Sequence, residues 1–332
     1  MTQIVTLALN PSIDISSDAN SVRTAHKVRT SNETYDPGGG GVNVARVIAE
    51  LGGDVEALYL AGGFTGSLLD DLLERARVRR RLIRIAGNTR ISFTVHERMT
   101  GLEYRFVANG PTLRKDELES CVAAIRACQF GYFVASGSLP SGVPPDFYAT
   151  VANVVAAKGG RFILDSSGPG LHATLEHASV FLVKPSLSEL EALIGHSLDE
   201  SAIEAAAVDL VRRGAAEIVA VTMGPAGALI ATRQGVLRAP ALEVEARSTV
   251  GAGDSFLGAL TLALADGQSI EDSLKFAIAA GAAAVLHPGT KLCKRQDVVR
   301  LHEEACRQPV EWSSKIQDST AIAPSTRETA VA

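Results

Sequence analysis

In the stretch STVGAGDSFLGAL, Ser248–Leu260, Gly251, Ala252 and Gly253 precede a lone acid, Asp254, where an apolar run begins. Residues of so little bulk let successive backbone N–H groups turn towards one point and form a nest for an anion. Phe256, Leu257, Leu260 and Leu264 continue at helical spacing as far as Gly267, so the positive end of a helix faces the same point. Asp254, in the first turn, has two readings. It caps the helix, the ordinary role of an acid there. Or it takes a proton from an attacking hydroxyl while the amides hold a transferring phosphoryl group.

A second glycine run, DPGGGGVNVAR, lacks the lysine of a GxxxxGK[ST] loop and carries Val44 where GxGxxG needs its third glycine. What remains is a backbone of minimal bulk followed by Asn43 on a helix. That suits close approach by a polyhydroxylated ligand whose hydroxyls the amide can bond. A third, LYLAGGFTG, fits a relaxed [GA]xGxxG over Ala61–Gly66, the pyrophosphate turn of a nicotinamide oxidoreductase. That enzyme also needs an acid about 20 residues further on, and Ala86-Gly87 stand there instead.

The elements that must position these residues read as an α/β fold. IVTLAL, VEALYLAG, YFVASG, RFILDSS, VFLVKP and EIVAVTMG alternate with helical runs such as VNVARVIAEL and SLLDDLLERA. Continuous apolar strands between helices indicate a mostly parallel central sheet flanked by helices. Residues about 16–35 and 88–109 alternate polar and apolar, with a turn near Thr100–Gly101, and read as half-exposed antiparallel strands of a small lid. Residues 1–308 form the domain on this reading, and 309–332 a disordered tail without periodicity.

The 332 residues are 46% hydrophobic, ample for such a core. A net charge of −5 offers no overall field for nucleic acid. The one basic run, RARVRRRLIR, reads as a solvated helix end leading into a strand. Cys121, Cys128, Cys293 and Cys306 form no CxxC pair and read as reduced thiols. The N-terminus lacks the basic start of a signal peptide, and no run reaches the roughly 18 apolar residues of a membrane span. The expectation is a cytoplasmic protein without nucleic-acid or membrane partners.

PGGGGVNVAR, SGSLPSGV, VKPSLSELEAL and STVGAGDSFLGA resemble, in order and spacing, the ribokinase-like (PfkB) carbohydrate kinases. TLALNPSID, LEYRFV, LDSSG and GTKLC make the chain look most like the 6-phosphofructokinases of that family, over about Gln3 to Arg307. The resemblance implies a ribokinase-like fold whose β-sheet lid clasps that of a second copy in a homodimer. On the sugar side it implies that Asp14, at the end of the first strand, with Gly39, Gly40, Asn43 and Ser138, binds hydroxyls. Arg90 binds the existing phosphate, assisted by Lys27 reaching across the dimer. On the nucleotide side it implies Lys184, Ser186, Glu189, Thr222, Gly224, Gly227 and Ser248, with Ile278 and Ala282 along the adenine. Ser248, Val250, Ala284, His287, Gly289 and Lys291 match a monovalent-cation site of relatives, there for K⁺. Mg²⁺ arrives with ATP, near Asp165 and Glu189 through waters.

The implied reaction moves a phosphoryl group from ATP to the C1 hydroxyl of fructose 6-phosphate, with Gly251–Gly253 as anion hole and Asp254 as base. Tagatose 6-phosphate or fructose 1-phosphate are alternative substrates, and a sugar-phosphate sensor without catalysis a more distant one. Each implied role has a plain counterpart. Asp14 suits an Asx turn after Pro11, VTMGPAG a tight strand–strand turn, and Ile278 and Ala282 ordinary core. Where relatives place asparagine this chain has Ser186, and SLSE makes an S-x-x-E capping box with Glu189.

Overall fold

The apolar runs are strands buried along most of their length, as cover on both faces requires. The computed structural model describes residues 3–313. Seven strands pair in parallel in the spatial order β5 (Arg79–Arg84), β4 (Val55–Ala61), β1 (Ile4–Ala8), β8 (Tyr132–Ser136), β9 (Arg161–Asp165), β10 (Val180–Val183) and β11 (Ala216–Thr222). Antiparallel β12 (Ala228–Thr232), β13 (Gly235–Ala239) and β14 (Glu311–Ser313) complete that edge. Helices α1 (Gly40–Glu50), α2 (Gly63–Arg75), α8 (Ala252–Ala265), α9 (Ile270–Val285) and α10 (Arg295–Arg307) cover one face. The other face carries α3 (Lys115–Ala127), α4 (Phe147–Ala157), α5 (Gly168–His177), α6 (Leu187–Ile194) and α7 (Glu200–Arg212). Strand order reverses at β1, which lies between β4 and β8. In sheets of this kind the crevice beyond the carboxyl ends of the strands, at such a reversal, is where ligands are held.

From the end of β1 the chain rises into a second sheet of β2 (Ser12–Ala19), β3 (Thr30–Gly38), β6 (Arg90–Glu97) and β7 (Glu103–Val107), in the order β3-β2-β6-β7. The expected antiparallel pairing holds for β2–β3 and β6–β7, but β2 and β6 run parallel. The reason is topological. The chain returns to the main sheet after β3 and re-enters the lid at β6 from the same end as at β2. Asp14 accordingly lies within β2, not at the end of the first strand.

The lid alternates in a way that selects its two faces. Ser12, Asp14, Arg90, Ser92, Thr94 and Arg105 look into a cleft against the main domain. On the opposite face Ile13 is buried and Ile15 packs against the main core. Higher on that face Tyr35, Phe93 and Phe106 are exposed, cross-strand neighbours through Ile15.

One further expectation changes, and the reading of the basic run holds. Glu311–Ser313, expected in the tail, pair with β13 as an edge strand, with Val310 packed on the core and the Ser313 hydroxyl donating to Glu204 at 2.9 Å. The rest of that tail, 314–332, lies outside the described residues. The basic run ends α2 and forms β5, where Arg79, Arg80 and Arg81 pair with Asp54, Asp70 and Glu56. Paired charges on an exposed strand keep that edge from recruiting another strand. Among the described residues no helix is long and apolar enough to cross a membrane.

Candidate active site

The glycine run allows two helices to begin in one place. A Cβ at Gly41 would fall on the Leu7 carbonyl, and one at Gly40 on Ser136 and Gly137, so α1 lies directly against the ends of β1 and β8. Asn43, in its first turn, is thereby set beside α8. Gly251, the residue before α8, has φ +75°, a left-handed conformation that favours glycine. Leu257 and Leu260 behind it are fully buried, each contributing about 1.5–3 kcal/mol to anchoring the helix.

Helices α7 and α9 are capped by side chains, Asp199 accepting from the Ala202 amide and Ser269 from that of Asp272. Helix α8 has no side-chain cap. The Asp254 carboxylate makes no capping bond to the helix amides and accepts a hydrogen bond from Asn43 Nδ2 at 2.9 Å. That excludes the capping reading. Burial raises the Asp254 carboxyl to about 6, with the negative charge of Asp165 acting in the same direction. The Asn43 bond and the Lys184 ammonium pull the other way. Lys184 is buried, and although burial opposes its charge, its ion pair with Asp165 at 3.0 Å keeps it protonated.

The turn from Thr249 to Asp254 separates two clefts. One, of about 260 Å³, is closed by the lid and lined by Asp14, Gly39, Gly40, Asn43, Arg90 and Arg105. The other, of about 770 Å³, runs along α9 and β12, past Thr222, Gly224, Gly227, Ile278 and Ala282. Val250, Gly251 and Asp254 face the first, Ala252 and Gly253 the second, and Thr249 both. A group held at this turn is within reach of ligands on either side. The polar cleft suits a small hydroxylated or anionic ligand, and the larger, more apolar one suits a flat ring.

Most of the expected positions converge here. Ser138 lines a third cavity, of about 320 Å³, which shares Arg90 with the first cleft. The Arg90 guanidinium is anchored by donating to the carbonyls of Asn10 at 2.9 Å and Ala108 at 3.0 Å. Lys27 does not converge: it is exposed in the β2–β3 connection and lines none of the three cavities. The capping box forms, with Ser186 Oγ accepting from the Glu189 amide and Glu189 Oε2 from the Ser186 amide at 2.8 Å. Among the described residues no three acids, histidines or cysteines group around a metal position. Asp165 is engaged by Lys184 and Glu189 by its cap, so these acids form no ready-made cage.

For the cation positions, the Arg247 and Ser248 amides bond the Val285 carbonyl, bringing 247–250 against the end of α9 and Ala284. His287 is held by Asp297 at 3.1 Å, and Lys291 is exposed. Thr290 links this loop to the lid, bonding Asp36 and Ser16. Arg105, Thr249 and Thr290 were missed in the sequence. Arg105 had a signal in the alternation of EYRFV, which puts it on the same face as Val107, while the two threonines had none.

A family described as pfkB family carbohydrate kinase matches residues 1–297. An ATP-dependent 6-phosphofructokinase isozyme 2 from Mycobacterium tuberculosis is 46% identical over 93% of this chain and 91% of its own. The crystal structure of Escherichia coli phosphofructokinase-2 in complex with potassium superposes with a TM-score of 0.89, at 38% identity, over 92% of this chain and all of its own. That enzyme in complex with fructose-6-phosphate gives 0.88 at 36% identity and the same coverage.

The raised Asp254 carboxyl has a consequence for stability. Its folded value of about 6 lies above the ordinary 3.8, so the native state binds this proton more readily than the unfolded chain does. The stabilisation is therefore present below pH 3.8 and lost as pH rises through 6. Asp254→Asn is expected to melt above the wild type at pH 8, with the difference closing towards pH 4. Calorimetric scans across that range check it, and a variant melting at or below the wild type at pH 8 contradicts it.

Proposed function

This chain belongs to the pfkB family of carbohydrate kinases, and on that premise we propose that it is an ATP-dependent 6-phosphofructokinase. It transfers the γ-phosphoryl group of MgATP to the C1 hydroxyl of fructose 6-phosphate, giving fructose 1,6-bisphosphate and ADP. The observation that carries this reading is the Thr249–Asp254 turn, with an uncapped carboxylate and free helix amides between two clefts of different chemistry. The names of the relatives support the choice of sugar phosphate.

In this reading the sugar phosphate occupies the lid cleft. Asp14, Gly39, Gly40 and Asn43 bind its hydroxyls, and Ser138 completes the wall. Arg90 and Arg105 hold its phosphate, a task suited to guanidinium forks. ATP lies along Thr222, Gly224, Gly227, Ile278 and Ala282, with Lys184 beneath Gly253 and Ser186 and Glu189 at the start of α6. Asp254, largely ionised at neutral pH, takes the proton of the C1 hydroxyl as its oxygen bonds to the γ-phosphorus. The bond to the bridging oxygen of ADP breaks, and the amides of Gly251, Ala252 and Gly253 stabilise the charge on the transferring group. The divalent ion comes with the nucleotide as part of the substrate, which fits acids already spent on Lys184 and on a helix cap. Waters on that ion would bridge to Asp165 and Glu189. The chain works in the cytoplasm on this reading.

Assay with ATP against fructose 6-phosphate, fructose 1-phosphate and tagatose 6-phosphate tests the assignment. The first is expected to show the highest kcat/KM. Asp254→Asn is expected to lose about a hundred- to ten-thousand-fold in kcat. Arg90→Ala is expected to raise KM for the sugar phosphate at least about ten-fold, with KM for MgATP barely moved. Preference for another sugar, or near-normal turnover by Asp254→Asn, rejects it.

The loop carrying Ala284, His287, Gly289 and Lys291, set against Ser248 and Val250, fits a monovalent ion held mainly by backbone carbonyls. The potassium complex of the E. coli enzyme supports that use. Potassium placed there would lend positive charge beside the anion hole. Turnover is expected to be faster in potassium than in sodium buffer, and equal rates remove the ion from the scheme.

The outer lid face has Tyr35, Phe93 and Phe106 exposed side by side, as if for a second lid. Homodimerisation there would also bring Lys27 near a partner's cleft. Phe93→Ser with Phe106→Ser is expected to halve the mass measured by light scattering, and an unchanged mass places the interface elsewhere.

A further inference from the structure

Arg46 lies one turn beyond Asn43 on α1, so the two side chains share a face. Its guanidinium is mostly buried, with 16% of the side chain exposed. Every donor direction it uses points at the site or the lid. Nη1 donates to the Pro37 carbonyl at 2.6 Å and to Asn43 Oδ1 at 3.4 Å, and Nη2 to Asp36 Oδ1 at 3.5 Å. Asp36 in turn accepts from the Thr290 hydroxyl at 3.2 Å, and Thr290 meets Ser16 at 3.3 Å. A buried cation is costly unless acids face it. Those facing Arg46 are Asp36 and Asp14 on the lid and Asp254 on α8.

We propose that Arg46 is a positioning residue: locked by Asp36 and the Pro37 carbonyl of the lid, it orients the Asn43 amide that holds Asp254. The argument turns on the two ends of an amide. Oδ1 only accepts and Nδ2 only donates, so a guanidinium at Oδ1 leaves Nδ2 directed at the carboxylate. Nδ2 occupies Asp254 Oδ2, which leaves Oδ1 of that carboxylate for an incoming hydroxyl. Without Arg46 the amide has no donor behind it and is free to turn whenever Asp254 takes up its proton. The aim of the base is then no longer set between turnovers. Because Asp36 and Pro37 belong to β3, the amide is held only when the lid strand is in place. Lid position and the aim of the base are one arrangement.

The proposal rests on Asp254 acting as the base, so the test separates the two. Arg46→Lys, Asn43→Ala and the double variant are compared, with Asp254→Asn beside them, using MgATP and fructose 6-phosphate. Lysine keeps the charge but loses the fork that reaches Asp36, Pro37 and Asn43 together. Arg46→Lys is expected to lower kcat at least about ten-fold, with KM for MgATP within about two-fold of the wild type. In the Asn43→Ala background the same substitution is expected to cost less than about two-fold more, because its route is already gone. Losses that multiply in the double variant overturn the proposal, as does an Arg46→Lys enzyme with normal kcat and only a lower melting temperature. An Asp254→Asn enzyme of normal kcat removes the base assignment and the proposal with it. If Asp254→Asn is inactive while the losses multiply, only the role of Arg46 falls.

Discussion

The hydrogen bond from Asn43 to Asp254 spans 211 positions of sequence and joins the first turns of two helices. It forms only because both helices begin where the chain has almost no side-chain bulk. Gly40 and Gly41 let α1 touch the backbone of β1 and β8, and Gly251 adopts the left-handed turn that starts α8. Each glycine costs conformational entropy on folding, which the buried apolar faces of the two helices offset. Thr249–Asp254 can then separate two clefts instead of packing against one.

The same constraint explains why the site is held under tension. Helix α8 is uncapped, and Asp254, partly desolvated at the edge of the cleft and near the charge of Asp165, has its proton affinity raised accordingly. Lys184 and Asn43 restrain the rise without cancelling it. Helix α8, with Gly251 in the cap position, lacks the side-chain cap that Ser269 and Asp199 give α9 and α7. Local helix stability is given up at the turn that faces both clefts.

The lid solves a different problem with the same economy of parts. Its period-two alternation sends Asp14, Arg90 and Arg105 inward. Its apolar residues face outward, where α2 and the core cover only the lower ones. Thr290 bridges lid and main domain at Asp36 and Ser16. The lid is thus tied to the loop beside the Thr249–Asp254 turn as well as to the end of β1, through Asn10 and Arg90.

The two glycine runs, the lone acid, the alternating strands and helices and the polar–apolar rhythm of the lid were all legible in the sequence, because each is set by local backbone freedom or by period. The resemblance carried by those motifs pointed to the family. Other properties depended on approach between distant residues. Whether Asp254 caps its helix or faces Asn43, whether β2 and β6 run parallel, and where Arg105, Thr290 and Arg46 point cannot follow from spacing along the chain. SLSE shows the reverse case, a capping box read from four residues and found as such, because its bonds lie within one helical turn. Lys27 shows the limit, since its surroundings within one chain do not include the cleft. Local chemistry follows from residue order, whereas the electrostatics of Asp254 follow from burial and from charges on β2, β9 and the end of β10, and burial exists only once the chain has closed around it.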